Sequence, residues 1–588
     1  MTEMAAAPAH GTRIPADLQA HIDETLKRAV DESWAERIWG RDTTVWTEDE
    51  KVAALISNRL GWLDLPTRLA DEVEALEAFA ASVNNEGLIR AVVAGMGGSS
   101  LAPAVLAAAI GPEGQGITVD VLDSTDPDAV RAAIEASDPN GTLYIISSKS
   151  GTTTEPLAFL AHFWNVVEQS HKHLHHAQPG LHFVAVTDPP PSVTHIPHAD
   201  QFREVFLNKE DVGGRYSALS YVGLVPGALM GIDLRALLAD ATRTADRCQN
   251  NSDNNPGLWL GVVLGTLARA GRDKLTLVIE PRFAALGMWI EQLVAESTGK
   301  HGVGILPVDG EVLGDPGVYE DDRVFVRVAT GEDQAWQAAT DVKLGALAEA
   351  GHPVLYLSML GGEGALGGEF FRWEFATAVA GAVLGINPFD EPNVTESKDN
   401  TKRVLEQYQH DHKLPADQPL SMEGRLSLSG DAPLRLSGAD GGLVAELRRH
   451  LARARKNGYF ALQAYIAPTD ARAAALRDIA TLLRDKSGRA VTVGFGPRFL
   501  HSTGQEHKGG APIGCFLQLT ASHPNDLEIH GWHETFGTLI DAQAAGAFIP
   551  LESHELPVAR SNLSDDPDAG LAALRAAFEQ ALTEPLAR

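Results

Sequence analysis

The strongest constraint on this chain is a repeated alternation of short apolar runs with helix-like segments. In the first half the runs are 91–94, 117–122, 143–146 and 182–186, separated by segments such as 129–136 and 157–167. This pattern predicts a parallel sheet with helices on both faces. A polar stretch, 248–256, interrupts the alternation, which restarts with strands expected at 275–279, 303–307, 323–328 and 354–357. A loop-rich passage, 413–442, leads to a third set: strand 459–466, helix 470–483, strands 490–495 and 515–520, and a terminal helix from Asp568 to Leu582. Ahead of them all, Leu18, Ile22, Leu26 and Val30, then Val52, Leu55, Ile56 and Leu60, recur at helical spacing. The expected division is a helical N-terminal arm (1–85), a first α/β domain (86–247), a second (257–412) that reads as a divergent copy of the first, and a C-terminal α/β segment (440–588).

The 588 residues suffice for three or four domains at roughly 100–200 residues each. Apolar residues make up 44% and charged residues 21%, ordinary globular usage, and no run approaches the ~20 residues of a membrane span. A formal charge of −30 repels polyanions, so neither nucleic acid nor membrane is an expected partner. The N-terminus shows no secretory signal, and its first dozen residues are expected to be disordered. Two distant cysteines, Cys248 and Cys515, suit a reducing, cytoplasmic location and offer only a remote candidate for a catalytic thiol.

Two strand ends carry the functional signal. Gly95-Met96-Gly97-Gly98-Ser99-Ser100 and Ser148-Lys149-Ser150-Gly151-Thr152-Thr153-Thr154 each follow an apolar run and open a helix. There, free backbone N–H groups, a partial positive charge and hydroxyl donors can surround an anion, and the ligand implied is a phosphate. Glycine also makes tight turns without any ligand, so the first loop alone is weak. The second sets five hydroxyls around Lys149, a costly way to end a buried strand unless something polar binds there. Gly213-Gly214-Arg215-Tyr216-Ser217 could aim a guanidinium at small oxygens or be a plain surface turn. On the amphipathic segment 284–298, Gln292 and Glu296 share a face, where Glu296 is either a general base or part of a solvated surface.

Together these motifs resemble the glucose-6-phosphate isomerase family. The resemblance runs through Gly95–Ser99, 148–153, 211–217, Glu296-Ser297-Thr298-Gly299-Lys300, and Asn387-Pro388-Phe389-Asp390-Glu391-Pro392-Asn393-Val394 leading to Lys398, in the family's order. With the segments around Arg37 and Asn58-Arg59-Leu60-Gly61-Trp62, it is most similar to the isomerase half of bacterial bifunctional transaldolase/isomerases. The resemblance implies two sugar-isomerase domains of flavodoxin-like, doubly wound type, with the C-terminal α/β segment and helical arm added. It implies a small-molecule sugar phosphate as substrate, a homodimer, and a transaldolase encoded separately. Position by position it implies that Gly98, Ser99, Ser148, Lys149, Ser150, Thr152 and Thr153 hold the phosphate. Gly214, Gln292 and Glu391 would contact substrate, Arg215 would sit near the reacting carbons, Glu296 would be the base, and Lys398 would match the family's lysine.

The chemistry agrees with those roles. Aldose–ketose interconversion moves a proton between C2 and C1 through a cis-enediol, which one carboxylate can do, while a permanently charged arginine stabilises the enediolate. Neither a metal nor an organic cofactor is expected. Two departures stand out. The family's ring-opening histidine lies in a Gly-Gln-His setting between the glutamate and lysine motifs, whereas here His301 and His352 occupy that interval in other settings. A similar string, Ser502-Thr503-Gly504-Gln505-Glu506-His507, follows the lysine motif instead, making His507 the candidate, reaching the site within the chain or across a subunit interface. Glu391 also stands where glutamine is common. The histidines at 171–176 could bind metal but lack an Asp, Glu or Cys ligand set and read as the cap of an exposed helix, and those at 530–533 have the wrong spacing for a zinc-protease helix. A non-catalytic sugar-phosphate sensor, or an isomerase that also accepts mannose 6-phosphate, are the alternative readings.

Overall fold

The computed structural model describes residues 10–172, 178–359, 365–415, 418–436 and 441–586. Strand β1 (His10–Arg13) comes first, within the stretch expected to be disordered. It is ordered by backbone pairing, lying antiparallel on the edge of a sheet with Gly11 opposite Tyr356, which an apolar pattern does not foretell. Helices Ala16–Asp31, Trp34–Trp39, Glu50–Ser57, Leu65–Ala70 and Val73–Asn85 form the arm. Their inward residues, among them Ile22, Ile38, Ile56 and Trp62, join one continuous core with the two sheets that follow.

The first sheet contains β2 (Arg90–Ala94), β3 (Thr118–Leu122), β4 (Thr142–Ser147), β5 (Phe183–Thr187) and β6 (Glu204–Leu207). They are all parallel, in the order β3-β2-β4-β5-β6. The second has β7 (Lys274–Ile279), β8 (Leu306–Val308), β9 (Arg323–Ala329) and β10 (Val354–Ser358), parallel in the order β8-β7-β9-β10 and flanked by β1. The third is built from β11 (Ser421–Glu423), β12 (Leu426–Gly430), β13 (Tyr459–Tyr465), β14 (Ala490–Phe495), β15 (Gly514–Thr520) and β16 (Val558–Asn562). Its parallel strands run β14-β13-β15-β16, with β12 and β11 antiparallel beyond β16.

All three sheets therefore place their first parallel strand between the second and third, the flavodoxin-like order. That order reverses direction beside the first strand and opens a crevice at the carboxyl ends of the first and third strands. In the first sheet the crevice is flanked by the loops beginning at Gly95 and Ser148. In the second the equivalent ends are bridged by a side chain: the buried Glu280 carboxylate accepts hydrogen bonds from Thr330 N at 2.7 Å and Thr330 Oγ1 at 2.8 Å. The same topology thus serves as a binding crevice once and as a closed joint once.

Helix Leu286–Thr298, which carries Gln292 and Glu296, is buried on nearly every side. It is held by Trp289 packing edge-on against Phe370 of helix Ala365–Leu384, with ring centroids 4.8 Å apart. That helix in turn lies so close to helix Pro256–Arg269 that a Cβ at Gly261 would strike the Ala376 carbonyl. The third sheet docks on both neighbours. Leu306 and Val308 of β8 cluster with Tyr459, Phe516 and Val558, while Phe536 stacks on Phe159 with centroids 6.0 Å apart. β6 escapes a pattern-based reading as a four-residue edge strand with no buried residue, and β16 because Val-Ala-Arg-Ser-Asn is mostly polar; there the buried Arg560 guanidinium is satisfied by Gln518 Oε1 at 3.0 Å.

Because the two long helices touch through Gly261, Gly261→Ala must push them apart. The expected loss is about 1–3 kcal/mol of stability, the usual effect of overpacking, read as a lower urea midpoint; an unchanged midpoint would contradict the packing described.

Candidate active site

The loop after β4 is shaped by Gly151, whose φ of +66° and close approach to the Ser192 carbonyl exclude any side chain. Ser148 Oγ donates to Thr153 Oγ1 at 3.1 Å, and Ser150 Oγ lies 2.8 Å from Thr152 Oγ1. These hydroxyls ring the N-terminus of helix Thr154–Ser170, an arrangement suited to an oxyanion. Lys149 points elsewhere: its Nζ is held by Asp188 Oδ2 at 2.6 Å and the Glu210 carbonyl at 3.0 Å.

The loop after β2 makes the second wall. Gly97 has φ of +53°, and a Cβ there would sit 2.8 Å from Gln292 Nε2 and from the His501 carbonyl. Gly98 faces Gly214 backbone to backbone, and Ser217 Oγ donates to the Gly214 carbonyl at 2.6 Å. Ser99 lies half-buried on the same turn. The turn before Arg215 thus packs its Gly214 backbone against Gly98, where a Cβ on Gly98 would strike the Gly214 carbonyl, and is not a free surface turn.

Arg215 is buried, only 4% exposed, and touches three segments. Nε donates to Ser297 Oγ at 2.7 Å, and Nη2 donates to the Pro388 and Asp390 carbonyls, both at 2.9 Å. Nη1 lies 3.0 Å from Glu391 Oε2 and 3.3 Å from Glu296 Oε1. Lys300 adds a second clamp on the same segment, donating to the Asn387 carbonyl at 2.7 Å and pairing with Asp390 Oδ1 at 2.6 Å. Glu296 is 7% exposed, so a solvated surface does not account for it. Burial raises its carboxyl pKa above the ordinary 4.5, and the neighbouring Glu391 adds to the shift while Arg215 opposes it. Gln292 Nε2 donates to Glu296 Oε2 at 3.0 Å and to the His501 carbonyl at 2.7 Å.

Beside this group opens a cleft of about 430 Å³, lined by Ser150, Thr152, Thr153, Lys398, Leu500 and His501 among others. Lys398 is exposed into it from helix Pro392–Asp411. That helix is fixed from the third unit, where Lys508 Nζ donates to Ser397 Oγ at 2.8 Å and Gln505 Oε1 accepts from Asn393 N at 2.8 Å. A larger cavity, about 730 Å³ between Met288, Trp336, Lys343 and Arg477, receives none of the motif residues.

The structure does not bring His507 to this cleft. Its ring packs against Phe516 with centroids 5.1 Å apart and its Nδ1 lies 3.2 Å from Gln463 Nε2; burial drives its pKa down to about 3. The histidine at the cleft is His501, immediately before that string, with Nε2 3.4 Å from Glu155 Oε1. His507 lies on a buried helix, Gly504–Gly509, facing β13 and β15, while His501 precedes the turn into that helix. Sequence reading missed both His501 and Glu155. The available signals were an acidic residue directly after the Thr-rich loop and a histidine directly before the displaced string. His301 is exposed, and His352 is buried beside Tyr319 and Phe325. Burial pushes the pKa of Cys248 and that of Cys515 up to about 12, which removes both as nucleophiles. Of the histidine-rich segment 171–176, residues 173–176 lie outside the described residues.

The family model for phosphoglucose isomerase matches residues 22–306. The glucose-6-phosphate isomerase of Rubrobacter xylanophilus is 30% identical over 394 residues, spanning 59% of this chain and 89% of that protein. This chain belongs to the phosphoglucose isomerase family. Other phosphoglucose isomerase relatives include the glucose-6-phosphate isomerase of Leptospira biflexa, 26% identical over 59% of this chain and 86% of its own. Among solved structures, a hypothetical protein of Thermus thermophilus is 26% identical with a TM-score of 0.57, covering 67% of this chain and all of that one. A glucose-6-phosphate isomerase of Chlamydia trachomatis shares the fold at a TM-score of 0.52 and 19% identity, over 69% of this chain and 90% of that one.

If Arg215 is the joint between the three segments, lysine cannot replace its five donors. Arg215→Lys is expected to lower kcat/KM about 100-fold in a coupled isomerase assay; a change within twofold would contradict this geometry.

Proposed function

We propose that the cleft converts D-glucose 6-phosphate and D-fructose 6-phosphate reversibly, as a glycolytic and gluconeogenic isomerase, with Glu296 as the shuttling base. The single observation that carries the residue assignment is the buried Glu296 carboxylate at 3.3 Å from the Arg215 guanidinium, joined through Gln292 to the His501 carbonyl at the edge of the hydroxyl-lined cleft. The phosphate is held by Ser148, Ser150, Thr152 and Thr153 with Ser99 and the Gly98 backbone. Lys149 serves this site indirectly, by fixing the loop through Asp188. Anchored at the far end, the sugar presents C1 and C2 to Glu296.

Glu296 removes the proton from one carbon and returns it to the other. Charge that develops on the sugar oxygens is met by Arg215, whose pKa is raised by the acids around it, so it stays protonated throughout. Gln292 orients the base, and Gly214 and Glu391 complete the wall. His501, backed by Glu155, takes the ring-opening role expected of His507, and Lys398 stands across the cleft from it for the ring oxygen. Every one of these groups comes from one chain, so the homodimer implied by the resemblance is not needed to complete the site. A cytoplasmic location and a separately encoded transaldolase belong to the proposal on the resemblance alone. Among the described residues no helix is long and apolar enough to cross a membrane.

Glu296→Gln is expected to lower kcat by about 10²–10⁴-fold while calorimetric binding of a sugar-phosphate inhibitor stays within about threefold; full activity in this variant would place the base elsewhere. A base works deprotonated, and its pKa is raised, so kcat/KM should fall off on the acid side above pH 4.5. A profile flat down to that pH would refute the assignment.

A further inference from the structure

The third α/β unit reaches the cleft through more than His501. Helix Phe536–Ser553 carries Gln543, which is 3% exposed and lies between two other segments. Its Oε1 accepts from Thr125 Oγ1 at 2.6 Å, and its Nε2 donates to Glu155 Oε1 at 2.7 Å. Thr125 follows β3 and is fully buried; Glu155 lies in the first turn of the helix that follows the phosphate loop and is 5% exposed. The chain of contacts is therefore Thr125, Gln543, Glu155, His501, and it ends at the cleft.

Resting on the reading that His501 opens the sugar ring, we propose that Gln543 is a positioning residue for that step, setting the imidazole through Glu155. The amide can sit only one way. An ionised carboxylate accepts and never donates, so Gln543 must turn its NH₂ to Glu155 and its carbonyl to the Thr125 hydroxyl. A buried carboxylate receiving that N–H is fixed in one rotamer and favoured in its ionised form. Burial alone would raise the Glu155 pKa; it is nevertheless lowered, chiefly by the hydrogen bond and charge of His501. An ionised, oriented Glu155 in turn holds a proton on His501 Nε2, leaving Nδ1 as the nitrogen able to exchange a proton with the ring oxygen. Gln543 borders the cleft, but its hydrogen bonds go to Thr125 and Glu155 and not to the phosphate-loop hydroxyls or Glu296, so its effect falls chiefly on kcat.

The test is a double-mutant cycle on the full-length protein with fructose 6-phosphate. Gln543→Leu, and the equal-volume Gln543→Glu in case the first does not fold, should each lower kcat about tenfold with KM within twofold. In a His501→Ala background the same change should lower kcat less than twofold, because the group being positioned is gone. An equal loss in both backgrounds, no loss in either, or a change confined to KM would overturn the proposal and mark Gln543 as packing only. Full activity of His501→Ala alone would overturn the ring-opening assignment and, with it, the role given to Gln543.

Discussion

The buried guanidinium of Arg215 is the interaction on which the site depends. It joins a turn from the first unit, the Glu296 helix of the second and the carbonyls of Pro388 and Asp390. Without it the buried Glu296 carboxylate would lose its cationic partner while the half-exposed Glu391 stayed close by, and leaving a buried charge unpaired costs about 3–5 kcal/mol. The same contacts explain a small residue near it. Gly98 has no side chain because the Gly214 carbonyl, on the turn that delivers Arg215 to the helix, passes where its Cβ would lie. Chemistry and architecture thus share one residue: the charge that we propose stabilises an enediolate also keeps three segments in register.

Topology decides where such a site can form. Three sheets repeat one strand order, yet the crevice is used differently in each. The first keeps it open between two glycine- and hydroxyl-rich loops, and the second bridges it with Glu280 and Thr330. The third contributes from its flank: His501 to the cleft, Gln543 to Glu155, Gln505 and Lys508 to the helix that bears Lys398. All the groups given a role in the proposed mechanism therefore lie on one chain.

Much of this was legible in the sequence where function is written into local backbone grammar. The strand-to-helix loops, the Gly-Gly-Arg turn and the Gln292–Glu296 spacing each imply a shape within a few residues, and the apolar runs locate the parallel strands to within a few positions. What was not legible depended on distant partners. Arg560 and Ser561 of β16 read as polar until Gln518 is seen beside them. The choice between His501 and His507 turns on which side of one short helix faces β13 and β15, and nothing in the string itself reveals that. Glu155 gains its meaning from His501 and Gln543, both more than three hundred residues away.

The central claim is that one buried carboxylate carries a proton between C1 and C2. The most direct measurement is the fate of a deuterium label placed at the C1 position of fructose 6-phosphate from which the enzyme takes its proton, followed during single turnovers in ordinary water. The account predicts that part of the label appears at C2 of glucose 6-phosphate and part is lost to solvent, with the lost share growing as temperature rises. Complete retention at every temperature, as a direct hydride shift demands, would contradict it.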